Sequence, residues 1–368
     1  MSKSFYSLGL MSGTSMDGVD ASVIQTDGKT KYKPILDKYF EYPKDIYIHL
    51  TKLRDKIKGS RDLKKNSKEI QNVEKEITLF HAKAVNQILK KIKVNVDFIG
   101  FHGQTIYHNA KDRISKQLGD GKLLSKITKK TVICNFRQND LKNGGEGAPL
   151  TPIFHQMLQK IFNIKPVSFF NIGGILNRTT IWKDGLLSAR DLGPGMCLID
   201  KWIRTKTNKK YDKNGEIAKV GKVNKNVLDK YWNIFQISDP ERISYDINDF
   251  DISFAKKLSL KDGAATLTLY TANYFIAHFE TNARFQDTKK EKTILCGGGR
   301  KNKFLVKTIK SWNKNVKLID DYGIDGDFVE SQAFAYLAVR SYLKLPISFP
   351  ETTGCKKPTT GGKIIKFK

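Results

Sequence analysis

The sequence predicts an α/β protein built in two halves. The chain has 368 residues, too many for one ordinary core and suited to two domains of about 150–200 residues each. Hydrophobic residues make up 39% and are spread along the length, as in a globular chain. A strand–glycine turn–strand pattern opens the chain and returns after Pro166. The rest alternates strand-like with helix-like stretches.

In the first half, Phe5 to Leu10 and Val19 to Ile24 read as strands around the polar turn Met11 to Gly18. A Lys-rich helical region follows from about Ile46 to Lys91, broken near Gly59-Ser60, with Ile70, Val73, Ile77 and Phe80 at helical spacing. Val94 to Phe101 is a buried strand running into His102-Gly103-Gln104-Thr105, and Thr131 to Cys134 is another. The glycine-rich loop Gly144 to Pro149 precedes a helix at about Thr151 to Ile161. In the second half, strands at Val167 to Ile172 and Ile175 to Trp182 flank Gly173-Gly174, and a further strand leads to Asp191-Leu192-Gly193-Pro194-Gly195. Helices fill Cys197 to Ile203, Asn226 to Ile234 and Ala264 to Ala283. Thr293 to Cys296 is a short strand entering Gly297-Gly298-Gly299, and a last helix spans about Glu330 to Leu343. The expected division is 1–150, 151–345 and an irregular basic tail at 346–368.

The formal net charge is +28. The basic residues are mostly scattered Lys, which reads as a solvated surface that concentrates anionic substrates rather than as a nucleic-acid interface. Base-reading and phosphate-positioning sites lean on Arg, which is scarce here. Cys134, Cys197, Cys296 and Cys355 show no CxxC spacing, against zinc or redox motifs and for reduced thiols. Met1 to Leu10 lack a signal-like apolar core, and no apolar run approaches about 20 residues. A cytoplasmic protein without a membrane segment is the expectation.

Five stretches carry chemistry. In the segment Gly9 to Gly18 the glycines, Gly13 among them, let backbone N–H groups approach a polyphosphate, Thr14 and Ser15 add hydroxyls, and Asp17 implies Mg2+ or its water shell. No Gly-Lys-Ser/Thr follows, so this is no Walker A loop, and a plain hairpin turn is the alternative. Asp191 beside a glycine turn suits an acid acting on a ligand, or a capping Asp. Gly297 to Gly299, with Asn302 close behind, suit an adenine or a phosphate at a helix start, or a flexible turn. His102 suits a substrate contact or a satisfied structural histidine. Arg137 suits a carboxylate or phosphate, or a surface pair with Asp140 worth about 0–1 kcal/mol. His49, His81, His108, His155 and His278 read as structural. Two halves, each opened by a phosphate-cradling turn, suggest a nucleotide clamped between two lobes.

Taken together, these stretches resemble the anhydro-N-acetylmuramic acid kinases. Residues 9 to 20, Gly-Leu-Met-Ser-Gly-Thr-Ser-Met-Asp-Gly-Val-Asp, are similar to the family's opening throughout. The likeness continues in order through His102 to Thr105, Phe136-Arg137 with Asp140, Gly144 to Leu150, Asn171 to Gly174 with Asn177, Asp191 to Gly195 with Asp200, Ala265 to Thr268, Cys296 to Gly299 with Asn302, Glu330 with Ala333 to Ala335, and Pro350 to Gly354. Met196, Asn135 and Glu146 depart from the usual Asn, Asp and Gln.

The resemblance implies a two-lobed actin-like ATPase (ribonuclease H-like) fold with nucleotide in the interlobe cleft, and a homodimer. It implies that ATP and water convert 1,6-anhydro-N-acetylmuramic acid to N-acetylmuramic acid 6-phosphate in cell-wall recycling. Asp191 is then the catalytic base. Gly13, Thr14, Ser15, Met16, Asp17, Gly18, Val19, Asp20, Asn171, Gly173, Gly297, Gly298, Gly299 and Asn302 bind the nucleotide. His102, Arg137 and Glu330 hold the sugar. Mg2+ accompanies ATP, and no residue is assigned as its direct ligand. The rival readings are a kinase for a free amino sugar, a basic nucleic-acid-binding protein, and a chaperone- or filament-like ATPase of the same fold.

Overall fold

The computed structural model describes residues 3–236, 243–281 and 292–367. The chain forms two compact units. The first comprises Met1–Ile161 together with Phe328–Lys368, and the second comprises Phe162–Asp327. The contiguous division expected from the sequence differs from this: the last long helix and the tail belong with the N-terminal residues.

The first unit is built on strands β1 (Phe5–Ser12), β2 (Gly18–Thr26), β3 (Tyr32–Glu41), β4 (Phe98–Asn109), β5 (Ile114–Leu118) and β6 (Thr131–Cys134). The second has β7 (Val167–Ile172), β8 (Ile175–Ile181), β9 (Leu187–Pro194), β10 (Lys292–Cys296) and β11 (Val316–Leu318). Strand β12 (Lys363–Ile365) returns to the first sheet, antiparallel to β6. The first sheet runs β12-β6-β4-β1-β2-β3, with β5 on β4, and the second runs β11-β10-β7-β8-β9.

Both sheets follow one plan. An antiparallel meander of three strands, β1-β2-β3 or β7-β8-β9, is extended on its first strand by two parallel strands, β4 and β6 or β10 and β11. Parallel neighbours require long crossovers. The helices Lys44–Lys56 and Ser67–Leu89 supply one between β3 and β4. This duplicated order is the ribonuclease H-like plan of the actin-like ATPase fold, and it bears out the predicted fold class. The two predicted hairpins are present, and the predicted helix to Ala283 is observed as Leu260–Thr281, its expected end lying outside the described residues.

The first unit's core lies between this sheet and its helices. Leu8, Leu10, Val19 and Val23 from the hairpin meet Leu50, Leu53, Ile77 and Val85 from the helices. The Val329–Tyr342 helix is buried along almost its whole length, from Val329 to Ser341 with Glu330 excepted. Two glycines seat it. A Cβ on Gly9 of β1 would overlap the Ser331 carbonyl oxygen, and one on Gly100 of β4 would overlap the Phe334 carbonyl oxygen. Ser22 and Ser331 hydroxyls meet at 2.6 Å, and Gln332 accepts from Tyr32 and donates to Asp37. Gly9, read in sequence as part of a phosphate-approaching segment, is thus a helix-packing glycine. The tail is more regular than expected, with a short helix Pro350–Thr353 before β12.

A methyl group at Gly100 has backbone as its nearest neighbour, so the helix must lift. Overpacking of this kind costs about 1–3 kcal/mol. Gly100→Ala should lower the unfolding free energy by about 1–3 kcal/mol in urea titration at unchanged m. A loss below about 0.5 kcal/mol would show that the helix is not held by this contact.

Candidate functional site

The first hairpin turn separates into surface and core. Gly13 is partly exposed, and Thr14 and Ser15 are exposed. Met16 N–H closes the turn on the Gly13 carbonyl at 3.2 Å, and Met16 itself takes the left-handed conformation, φ 57°. Gly13 does not, and a Cβ there would meet only Ser15 Oγ at 3.8 Å. Met16 and Val19 point into the core, and Gly18 is glycine because β3 lies against it at Phe40 and Tyr39. These three offer only backbone to a ligand. Ser15 Oγ donates to Asp17 Oδ1 at 2.6 Å, and Asp17 and Asp20 are partly exposed.

A directed set of hydrogen bonds fixes the turn from below. His81 Nδ1 lies 2.8 Å from the Ile77 carbonyl, so it carries the proton and Nε2 accepts. Ser12 Oγ, 3.2 Å away, donates to Nε2, which leaves Tyr42 OH to donate to Ser12 at 3.0 Å. Burial holds the His81 pKa down at about 4, so the arrangement stays neutral. Tyr42 N–H also reaches the Asp17 carbonyl at 2.8 Å. Gln104 Nε2 donates to the Gly13 carbonyl at 2.9 Å, and its Oε1 is buried without a hydrogen-bond partner among the described residues. Gln104 was passed over in the sequence, although its place two residues after His102 on β4 was the available signal.

His102, Arg137 and Glu330 gather in the first unit. His102 Nδ1 is 2.7 Å from the Gly103 carbonyl and therefore protonated, so Nε2 accepts from Arg137 Nη2 at 2.9 Å and Nε at 3.3 Å. Arg137 Nη1 donates to the Gly147 carbonyl at 2.7 Å. The His102 ring lies 4.5 Å from the Phe334 ring. Burial, and next the charge of Arg137, hold the imidazole well below its ordinary pKa. Glu330 opens the Val329–Tyr342 helix. Burial raises its pKa, against the opposing pull of Arg137. Asp140 is not the surface partner of Arg137 that the sequence left open: it is 1% exposed and accepts from Gly147 N–H.

In the second unit, Asp191 lies within β9 rather than beyond a strand. It pairs with Asn177 of β8 next to a register shift, and Asn177 pairs with Asn171 of β7. Asp191 is 7% exposed. Its N–H donates to the Ile243 carbonyl and its Oδ2 accepts from Tyr245 N–H, both at 2.8 Å. The Gly173-Gly174 turn takes the Met196 and Gly195 N–H groups, at 2.8 and 2.9 Å. Met196 occupies the N-cap of the Cys197–Lys206 helix without a side-chain cap, where the usual Asn would supply an acceptor. Asn135, in place of the usual Asp, has φ 58°, which Asn tolerates well.

The three consecutive glycines differ. Gly297 has φ +79° and lies against Asn171 Oδ1, Gly299 lies against Ile172, and Gly298 has open space where a Cβ would stand. Asn302 caps the Lys303–Trp312 helix, accepting from Leu305 N–H at 3.0 Å, while its Nδ2 is buried without a hydrogen-bond partner among the described residues. Sequence reasoning missed Arg300. Its guanidinium forks onto Asp320 at 2.7 and 2.9 Å, reaches Asp325 at 3.0 Å and donates to the Gly297 carbonyl at 3.1 Å. The signal was an Arg directly after three glycines, with Asp320, Asp325 and Asp327 to follow. Among the described residues no cluster of three or more His, Cys, Asp or Glu is arranged to hold a metal ion.

The model of the family described as anhydro-N-acetylmuramic acid kinase matches residues 5–366. The anhydro-N-acetylmuramic acid kinase of Pelagibacter ubique (strain HTCC1062) is 52% identical over 373 residues, covering 100% of both chains. That of Agrobacterium fabrum (strain C58 / ATCC 33970) is 37% identical, covering 98% of each. Among solved structures, component A of the Acidaminococcus fermentans (R)-2-hydroxyglutaryl-CoA dehydratase aligns at 11% identity and a TM-score of 0.44, over 92% of this chain and 99% of that one. With signature residues placed as above and relatives matched end to end, the chain belongs to the anhydro-N-acetylmuramic acid kinase family.

Proposed function

We propose that this chain uses ATP and water to convert 1,6-anhydro-N-acetylmuramic acid to N-acetylmuramic acid 6-phosphate and ADP. The observation that carries the reading is Asp191, a buried carboxylate held through its own N–H and through Oδ2 on a strand that leads into a glycine turn. An anhydro sugar has no free O6, because O6 is bonded to the anomeric C1. Asp191 takes a proton from water as the water oxygen bonds to C1. The C1–O6 bond breaks, and O6 takes the γ-phosphoryl group as the bond to ADP breaks. In ordinary glycoside hydrolysis a second carboxyl protonates the leaving oxygen. Here phosphorus relieves that charge, so one carboxylate suffices.

The remaining roles follow from chemistry. Arg137 presents a planar fork suited to the lactyl carboxylate or another polar substituent. Glu330 takes sugar hydroxyls, and His102, neutral with Nδ1 on the Gly103 carbonyl and Nε2 on Arg137, serves the sugar by orienting the Arg137 fork. Gly13, Thr14 and Ser15 receive phosphates, on a turn that Met16, Asp17, Gly18, Val19 and Asp20 shape; Asn171, Gly173, Gly297, Gly298, Gly299 and Asn302 complete nucleotide binding. Gly298, with no atom near its Cα face, is the glycine of its triplet best placed for close approach by a flat ligand. Asp17 and the unpartnered Gln104 Oε1 fit Mg2+ or its waters, since Mg2+ usually takes one or two carboxylates plus substrate phosphates. When bound, Mg2+ neutralises phosphate charge. The family reading also carries a homodimer working in the cytoplasm in cell-wall recycling, with no nucleic-acid partner. No described helix is long and apolar enough to cross a membrane.

Asp191→Asn should lower turnover by about 10^2–10^4-fold, the usual contribution of a general base, while calorimetry still detects binding of a non-hydrolysable ATP analogue. Near-normal turnover would remove Asp191 from this role. Because Gly13 has ordinary φ and room for a side chain, Gly13→Val should keep its melting temperature within a few degrees and lose nucleotide affinity. Unchanged affinity would make the turn purely structural.

Mass spectrometry of the products in 18O-water tests the chemistry itself. Label should enter the anomeric oxygen and not the phosphate, read early against an exchange control of unlabelled N-acetylmuramic acid 6-phosphate. Label in the phosphate, or accumulation of unphosphorylated open sugar, is incompatible with the scheme.

A further inference from the structure

The C-terminal segment reaches Arg137 through a short series of buried hydrogen bonds. The Gly147 carbonyl that accepts from Arg137 Nη1 belongs to a residue with φ +77° whose N–H donates to Asp140 Oδ2 at 2.7 Å. Asp140 Oδ1 accepts from Thr353 Oγ1, also at 2.7 Å. Asp140 is 1% and Thr353 0% exposed. The Thr353 carbonyl accepts the Glu146 N–H at 2.8 Å, so one residue grips both the carboxylate and the loop beside it. Gly145 lies so close to the Asp140 carboxylate that a Cβ there would overlap it. Further along, Lys356 N–H donates to the Asn143 carbonyl at 3.1 Å.

We propose that Thr353 and Asp140 are positioning residues that set the Arg137 guanidinium, and His102 with it, for the sugar. The inference rests on the proposed role of Arg137 in gripping the substrate. A buried carboxylate whose two oxygens each accept from a fixed donor has no inexpensive alternative position. It fixes the Gly147 peptide, and the Gly147 carbonyl fixes one arm of a planar fork whose use depends on orientation. Thr353 touches neither the sugar nor the nucleotide in this scheme. Loss of its hydroxyl would act on sugar binding alone.

Steady-state kinetics of the full chain, with the concentrations of anhydro sugar and ATP varied separately, test this. Thr353→Val keeps the shape and removes the donor. The expected result is a rise of about ten-fold in KM for the anhydro sugar, with KM for ATP unchanged and kcat within about three-fold. Thr353→Ser, which keeps the hydroxyl, should restore the sugar KM. Arg137→Lys is measured alongside. If it raises the sugar KM while Thr353→Val does not, the positioning role is overturned and the reading of Arg137 stands. If Arg137→Lys also leaves the sugar KM unchanged, the reading of Arg137 fails and takes the inference with it. If Thr353→Val raises both KM values and Ser brings no recovery, Thr353 is merely structural and the proposal is wrong. Should the Val variant not fold, Thr353→Cys, a weaker donor, replaces it, with a smaller rise in sugar KM expected and no rise overturning the proposal.

Discussion

The seating of the Val329–Tyr342 helix on β1 and β4 is the contact on which the first unit depends. Helix and strand backbones meet directly because Gly9 and Gly100 leave no side chain between them. The closeness brings Phe334 against both His102 and Phe136, and it places Glu330, in the helix's first turn, within the field of Arg137. A wider spacing would separate these groups. The helix is therefore both the lid of a core and the support of three polar side chains, and the two duties cannot be tuned independently.

Burial explains why those side chains are held by so many hydrogen bonds. A cation such as Arg137 near a low-dielectric core is costly unless partners accept its protons. His102 and the Gly147 carbonyl do so here without neutralising it. The positive charge remains available to an incoming anion, and the imidazole beside it is kept neutral. Arg300 in the second unit shows the opposite arrangement. It is committed to carboxylates and to the Gly297 carbonyl, so its charge is spent on shaping a loop.

Much of this was legible in the sequence. The hairpins, the long helices and the order of the motifs follow from periodicity and turn residues. Edge strand β3 escaped notice because none of its residues is fully buried, so no alternation stood out, and Pro34 weakened it further. Strand β12 is too short to carry a pattern. The domain division failed at its C-terminal end because composition does not say which sheet a helix covers. In the site, residue types were readable while their duties were not. Gly9 and Gly18 look like ligand-facing glycines in a motif, yet each is explained by a neighbouring backbone or ring. Asp191 lies inside β9, beside a register shift between β8 and β9, an irregularity with no local signature. Arg300 and Gln104 act through long-range partners that spacing alone does not reveal.

The first unit is assembled from two separate segments, with the whole second unit inserted between them in sequence. On the ribosome the N-terminal sheet emerges with its glycine-lined face bare, and the residues that cover it are made only after the whole second unit. Synthesis proceeds at about 5–20 residues per second, so this apolar face waits for roughly 8–33 seconds while residues 162 to 327 are added. Until then the face is open to chance apolar contacts, and a stop codon a little before residue 328 would leave it uncovered for good.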